Sequence, residues 1–110
     1  MNPPLRSEDD RLACIEGLLD GTIDVIATDH APHHEDEKAW GIETAPFGIV
    51  GLETSATLTY TELVLKGYLT PMGMVEKMSY QPAKILGIDR GTLQEGKIAD
   101  VVIFNPNSTY

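Results

Sequence analysis

The chain of 110 residues is poor in basic side chains and contains a single cysteine. Its 8 Lys and Arg stand against 17 Asp and Glu, which gives a net charge of −9. Nucleic acids and anionic membranes bind clustered positive charge, so this balance argues against either as a partner. The single cysteine, Cys14, excludes an internal disulfide, and its apolar neighbours predict a buried thiol in a reducing compartment.

Long hydrophobic runs are missing as well. No apolar stretch approaches the roughly 20 residues that are needed to span a bilayer. The first residues, MNPPLRSEDD, combine prolines with an acidic run, which is typical of neither a signal peptide nor a transit peptide. We therefore expect a cytoplasmic protein with no membrane partner.

What the chain does contain is a succession of helix signals. Ser7 predicts an N-cap, since the acids after it are stabilised at the positive end of a helix dipole, and Gly21 predicts the end of that helix. Residues 51–66 carry apolar side chains at helical spacing. Thr70-Pro71 and Gln81-Pro82 each place a proline in the first turn of a further helix.

Two stretches predict β-structure. Residues 23–27 form a short apolar run that is typical of a buried strand, and residues 98–104 form a β-rich run after a predicted turn at 95–97. A buried strand between two helices must have neighbouring strands to pair its backbone groups. The order of elements therefore predicts the α/β class. It also predicts the C-terminal part of a larger α/β protein, with a domain boundary near Gly87.

Residues 29–48 predict a long loop that holds all three histidines of the chain, at positions 30, 33 and 34. Loops of this length inside compact domains are usually functional or disordered. If residues 23–27 form a parallel barrel strand, Asp29 lies at its C-terminal end, where barrel enzymes place their chemistry. The spacing matches no standard zinc pattern, so a metal site, a catalytic loop and a solvated polar turn all remain open.

The side chains around Asp29 also have structural interpretations. His30 is either a hydrogen-bonding partner of the aspartate or a packed loop residue. His34 and the acidic run 35–37 predict a solvated surface. Pro46-Phe47-Gly48 precedes a predicted helix, where free backbone N–H groups suit an anionic group.

Taken together, these motifs resemble one family. NPPLR, DVIATDHAPH, APFGIVGLET, PAKILG and GTLQEGKIADVVIF resemble, in order, the last quarter of the dihydroorotases of the bacterial long-chain class, within the amidohydrolase superfamily. TDHAPH is the most specific motif, because related hydantoinases and allantoinases usually vary the residues after the Asp-His pair. The final glycine-containing segment is shared across the superfamily.

The resemblance implies a (β/α)8 barrel with a small β-sandwich domain. Residues 1–87 would supply the last βα units of the barrel, and residues 88–110 would supply strands of the sandwich. The implied activity is that of a cyclic amide hydrolase. It is the reversible, zinc-dependent cyclisation of N-carbamoyl-L-aspartate to dihydroorotate in de novo pyrimidine biosynthesis.

The resemblance also implies roles for individual residues. Asp29 would coordinate zinc, of which the enzyme holds one or two ions, and would act as general base and then as general acid. Asn2 and His33 would contact dihydroorotate, His33 near its carboxylate, and the backbone of Phe47 and Gly48 would hold another edge of the ring. The other metal ligands of the family are not among these 110 residues. We therefore expect the chain alone to be inactive.

Two alternative functions remain at this stage, besides a self-sufficient small binding domain, which would require these 110 residues to pack without the barrel. One is a hydantoinase- or allantoinase-type cyclic amidohydrolase. The other is a non-catalytic dihydroorotase-like subunit that partners aspartate transcarbamoylase, although Asp29 and His33 argue against it. Exposed strand edges and barrel-facing apolar surface predict a homo-oligomer.

Overall fold

Helices provide all the regular secondary structure of residues 1–108, the part of the chain that the computed structural model describes. Two of the helices widen into π-helical segments at their C-terminal ends. No helix of this part is both long enough and apolar enough to cross a membrane. The helices are α1 (Glu8–Asp20), α2 (Glu35–Lys38), α3 (Ser55–Thr59, continued as a π-helix over Tyr60–Val64), α4 (Pro71–Val75, continued as a π-helix over Glu76–Tyr80) and α5 (Gln81–Leu86).

Helix α1 begins and ends at the residues that the sequence predicts. The Ser7 hydroxyl accepts a hydrogen bond from the Asp10 amide, and the Asp10 carboxylate accepts one in return from the Ser7 amide. This reciprocal pair is a capping box. The Ser7 hydroxyl also donates to the Asp10 carboxylate, which lowers the pKa of Asp10 below its ordinary value. Gly21 adopts a left-handed conformation with φ 86° and ends the helix.

The predicted starts of the later helices are confirmed in part. The Thr70 hydroxyl accepts a hydrogen bond from the Gly73 amide and caps α4, and α5 begins at Gln81 as predicted. The helix expected over residues 51–66 begins only at Ser55, after an irregular turn.

The two predicted strands do not form among the described residues. Residues 23–27 are irregular and only partly buried, and residues 98–104 are irregular and exposed. Within residues 1–108 the one β-type pairing is an isolated parallel bridge between His30 and Ile49. The reason is physical, since a parallel strand pairs only with strands beside it, and the described residues supply none. The predicted turn at 95–97 is confirmed by a hydrogen bond of 3.1 Å from the Lys97 amide to the Gln94 carbonyl.

The core is small for the length of the chain. Among the described residues, the buried apolar side chains are Ile15, Met74 and Ala83. The accessible surface of 8706 Å² exceeds the about 6,000 Å² expected of a compact monomer of this mass. The radius of gyration of 16.4 Å likewise exceeds the about 13 Å of a compact domain. Cys14 is exposed, so the prediction of a buried thiol is wrong. It lies on the face of α1 that has nothing to pack against.

Polar and aromatic contacts attach the C-terminal residues to the helices. The ring of Phe104 lies 5.2 Å from the ring of Tyr60, centroid to centroid. Arg90 forms a salt bridge of 2.6 Å with Asp100. The end of α5 at Gly87 coincides with the predicted domain boundary, and the assignment of residues 88–110 to a separate β-sandwich stays a prediction.

We expect the 110-residue chain to self-associate when it is purified alone, because Ile42, Val102 and Ile103 are 97%, 88% and 94% exposed. Light scattering after size-exclusion chromatography should give a mass above the 12.0 kDa of a monomer, together with strong binding of the dye ANS. Replacing Val102 and Ile103 by lysine should reduce association more than the control Leu5→Lys. A monodisperse 12.0 kDa species that leaves ANS dark would contradict this expectation.

Candidate functional site

Four of the five predicted site residues surround one cleft. It has a volume of about 430 Å³, within the range of small-molecule sites. Asn2, Asp29, Phe47 and Gly48 line it together with apolar residues. His33 is not part of the lining. The apolar part of the wall includes Ile26, Ile49, Val50 and Leu58.

Asp29 occupies an unusual position on the backbone. Its φ of 47° makes it the one non-glycine residue with a positive φ among the described residues. Aspartate tolerates this left-handed conformation better than most side chains, and such residues concentrate at functional sites. Within residues 1–108 the Asp29 carboxylate has neither a hydrogen-bond donor nor a salt-bridge partner, so its oxygens are available to a ligand in the cleft.

The cleft exists because two backbone segments approach each other closely. The Ala31 amide donates to the Ile49 carbonyl at 2.9 Å, beside the His30–Ile49 bridge. A Cβ at Gly48 would lie 2.5 Å from the Ala31 Cβ, and a Cβ at Gly51 would lie 2.9 Å from the Thr28 carbonyl oxygen. Glycine at both positions therefore permits the approach, and Gly48 also has a φ of 126°.

His30 fastens the same two segments together. Its Nδ1 accepts hydrogen bonds from the amides of both Gly51 and Leu52, each at 3.0 Å. These amides begin the turn that leads into α3, so the imidazole satisfies donors that would otherwise lack a partner. As an acceptor, Nδ1 carries no proton. His30 is exposed and bonds to these amides, and no hydrogen bond joins it to Asp29 within residues 1–108, so neither its role as a packed residue nor its role as a partner of Asp29 is confirmed.

His33 lies behind the cleft wall rather than in it. Its Nε2 donates to the Phe47 carbonyl at 2.8 Å, and its Nδ1 lies 3.8 Å from a carboxylate oxygen of Glu37. The ring therefore contacts the loop that carries Phe47 and Gly48. Its predicted contact with a substrate carboxylate stays a prediction.

The long loop contains a short helix that the sequence interpretation did not identify. His34 caps α2, because its Nδ1 accepts a hydrogen bond from the Asp36 amide while the Glu37 carboxylate accepts one from the His34 amide. The predicted solvation of this stretch is confirmed for His34, Glu35 and Asp36, which are exposed, whereas Glu37 is half-buried.

Lys38 is the site residue that sequence reasoning missed. Its ammonium donates to the carbonyls of Pro46 at 2.8 Å and Gly48 at 2.5 Å. A signal was present, since Lys38 is the single basic residue of the loop over 29–48 and follows three consecutive acids.

The described residues do not by themselves form a zinc site. A structural or catalytic zinc needs at least three protein ligands. No group of three or more His, Cys, Asp or Glu side chains within residues 1–108 is arranged to hold a metal ion. Asp29 could supply one ligand, but the Nδ1 of the adjacent His30 is occupied by backbone amides.

A larger cavity of about 750 Å³ lies elsewhere, between α4 and the C-terminal segment. Its walls are mostly apolar, with side chains such as Met74, Leu93 and Val102, and one of its two carboxylates, Asp100, is paired with Arg90. It lacks the convergent polar groups of a small-molecule site. The smaller cleft at Asp29 is therefore the candidate functional site.

The sequence that forms this cleft matches a known protein family. Residues 2–110 match the family described as "Amidohydrolase family". The chain is 58% identical over 107 residues to a dihydroorotase of Pelotomaculum thermopropionicum, covering 97% of the chain and 25% of that protein. It is 55% identical over 105 residues to a dihydroorotase of Bacillus thuringiensis, covering 96% of the chain and 24% of that protein.

The resemblance to dihydroorotases is thereby confirmed, and the chain spans about a quarter of the length of the curated relatives that it matches. The family implies a metal cofactor, generally zinc, and a hydrolase fold of the TIM-barrel type. A match over residues 2–110 covers almost the whole sequence. The chain belongs to the amidohydrolase family.

Proposed function

We propose that these residues form one side of the active site of a dihydroorotase, which interconverts N-carbamoyl-L-aspartate and dihydroorotate. The observation that carries this proposal is the Asp29 carboxylate, unpaired within residues 1–108, in a cleft that Phe47 and Gly48 also line. A reacting amide placed between them would have a proton acceptor on one side and backbone donors on the other. The names and identities of the relatives support the same activity.

The polar groups suit a small cyclic amide that carries a carboxylate. The amides of Phe47 and Gly48 donate to no described residue, so they are available to a substrate oxygen. Asn2 also lines the cleft, and its side chain offers both a hydrogen-bond donor and an acceptor. We keep His33 as the proposed contact of the substrate carboxylate, which requires its ring to leave the Phe47 carbonyl and turn into the cleft.

Asp29 has the chemistry that ring opening needs. Its carboxylate takes a proton from the water that adds to the ring amide carbonyl, and returns that proton to the ring nitrogen as the C–N bond breaks. Ring closure runs through the same transfers in reverse and releases water. A zinc ion, when bound, would polarise the carbonyl and promote deprotonation of water. Within this chain Asp29 is the residue that would help to hold it.

The remaining parts of the proposal concern the whole protein. Further zinc ligands would come from sequence that the relatives have beyond these 110 residues. Residues 1–87 would complete the barrel, and residues 88–110 would complete a β-sandwich. We place the protein in the cytoplasm as a homo-oligomer, for which the exposed apolar surface argues. Contact with aspartate transcarbamoylase is a further possible assembly, and binding assays with that enzyme would test it.

The proposal predicts that the 110 residues alone are inactive. It predicts activity for the long chain, which is a protein that carries these residues within a chain as long as the relatives. The 110 residues, purified and supplied with zinc, should not open dihydroorotate above the uncatalysed rate, since one carboxylate cannot hold the metal. A protein that carries these residues within a chain as long as the relatives should turn dihydroorotate over. Preference of that protein for hydantoin or allantoin would transfer the assignment to another cyclic amidohydrolase, and failure with all three substrates would favour a non-catalytic subunit.

Replacing the carboxylate should remove the proton transfer. In the long chain, Asp29→Asn should lower kcat by about 10²–10⁴, the usual contribution of general acid–base catalysis. Asp24→Asn is the matched control, because Asp24 is an exposed carboxylate five residues earlier that lies outside the cleft. Steady-state kinetics on both variants, with zinc content measured, would decide. Equal effects of the two substitutions would remove Asp29 from the mechanism.

The close approach at Gly48 should be sensitive to a single methyl group. Gly48→Ala places a Cβ 2.5 Å from the Ala31 Cβ and 2.6 Å from the Ala31 carbonyl oxygen, so the two cleft walls must separate. We expect kcat/KM of the long chain to fall about 10- to 100-fold. Gly41→Ala is the control, since Gly41 also has a positive φ but its Cβ would meet nothing within 4 Å. If both variants lose activity equally, backbone strain and not the width of the cleft is responsible.

A further inference from the structure

Three consecutive carbonyl groups, two of them from residues that line the cleft, accept hydrogen bonds from side chains that precede them in the chain. Lys38 Nζ donates to the carbonyls of Pro46 and Gly48, and His33 Nε2 donates to the carbonyl of Phe47 between them. The three distances are 2.8, 2.5 and 2.8 Å. The tripeptide is therefore held from one side by an ammonium group and an imidazole.

The arrangement fixes the direction of the opposite backbone groups. In a trans peptide the C=O and the N–H point to opposite sides. Because the Pro46 carbonyl points to Lys38, the Phe47 amide points away from it, and the Gly48 amide likewise points away from His33. Phe47 and Gly48 line the cleft whereas His33 and Lys38 do not. Both amides therefore point away from the two side chains that hold the tripeptide, and the residues that carry them line the cleft.

Lys38 forms its hydrogen bonds with backbone carbonyls and not with the acids beside it in the sequence. It follows Glu35, Asp36 and Glu37 directly, yet it forms no salt bridge with any described carboxylate. An ammonium group has three donors and no acceptor, so it can hold two carbonyls at once and still meet water. Hydrogen bonds with a charged donor are also stronger than neutral ones. The lysine thus bridges residues that lie eight and ten positions further along the chain.

We propose that Lys38 is a positioning residue that aims the amides of Phe47 and Gly48 at an oxygen of the substrate. It touches no reacting atom, and it acts through the backbone of the tripeptide 46–48. This inference rests on the proposed function for the identity of the substrate. The orientation of the tripeptide by Lys38 does not depend on that identity.

The test uses the long chain with Lys38→Met, which keeps most of the unbranched side chain and removes its donors. We expect KM for dihydroorotate to rise about tenfold, as suits the loss of oriented backbone donors. We expect kcat to stay within about threefold, since Asp29 lies on the other backbone segment. Lys38→Arg should restore KM to within about threefold, because guanidinium also donates several hydrogen bonds. Lys84→Met, at an exposed lysine of α5, should change neither constant.

Hydrogen exchange gives a readout that needs no activity. The amides of Thr44 and Ala45 both donate to the Gly41 carbonyl within the loop that Lys38 closes. In Lys38→Met the peptide 41–49 should exchange several-fold faster than in the wild type, whereas Lys38→Arg and Lys84→Met should leave it unchanged.

The outcomes separate the two proposals. An unchanged KM in Lys38→Met, or a fall in kcat without a change in KM, would overturn the positioning role. Exchange that stays at the wild-type rate would overturn it as well. If the wild type does not turn dihydroorotate over but the exchange rate rises as expected, the proposed function is wrong and the tripeptide is still oriented by Lys38.

Discussion

The candidate site depends on the close contact between the backbone at residues 28–31 and the backbone at residues 48–51. One hydrogen bond from Ala31 to Ile49 and the bonds from two amides to His30 hold these segments together. These hydrogen bonds would not form at the same distances if Gly48 or Gly51 carried a side chain, because a Cβ there would overlap the facing chain. The contact brings Asp29 together with Phe47 and Gly48 around the cleft. The width of the cleft is therefore set by backbone contacts that need no large core.

Signals that act between neighbours in sequence predicted structure well. The cap at Ser7, the end at Gly21 and the Thr70-Pro71 start depend on hydrogen bonds across three or four residues, so the local sequence determines them. The strands over 23–27 and 98–104 failed for the opposite reason. Their formation depends on partners that must lie beside them, and no part of residues 1–108 occupies that place.

The candidate site likewise contains residues that the sequence predicted and long-range contacts that it did not. Asp29, Asn2, Phe47 and Gly48 were predicted because their motifs resemble those of a family, and the structure brings these four around one cleft. The role of Lys38 could not be predicted, since its partners lie eight and ten residues away and depend on how the loop folds back. The bonds from Gly51 and Leu52 to His30 span more than twenty residues. Such bonds leave no periodic pattern in a sequence, although a single lysine in an acidic loop is a usable hint.

Because the chain is negatively charged, backbone amide donors matter more for binding an anionic ligand. The proposed substrate carries a carboxylate, and the loop that it would approach carries Glu35, Asp36 and Glu37, so that formal charge alone would repel it. Backbone amides attract an oxygen at short range without adding a mobile counter-charge, provided that something fixes their direction. Lys38 would provide that direction, because its ammonium holds the carbonyls of Pro46 and Gly48. The one Lys or Arg side chain of the loop over 29–48 would then contribute to binding by orienting the backbone and not by contacting the proposed substrate.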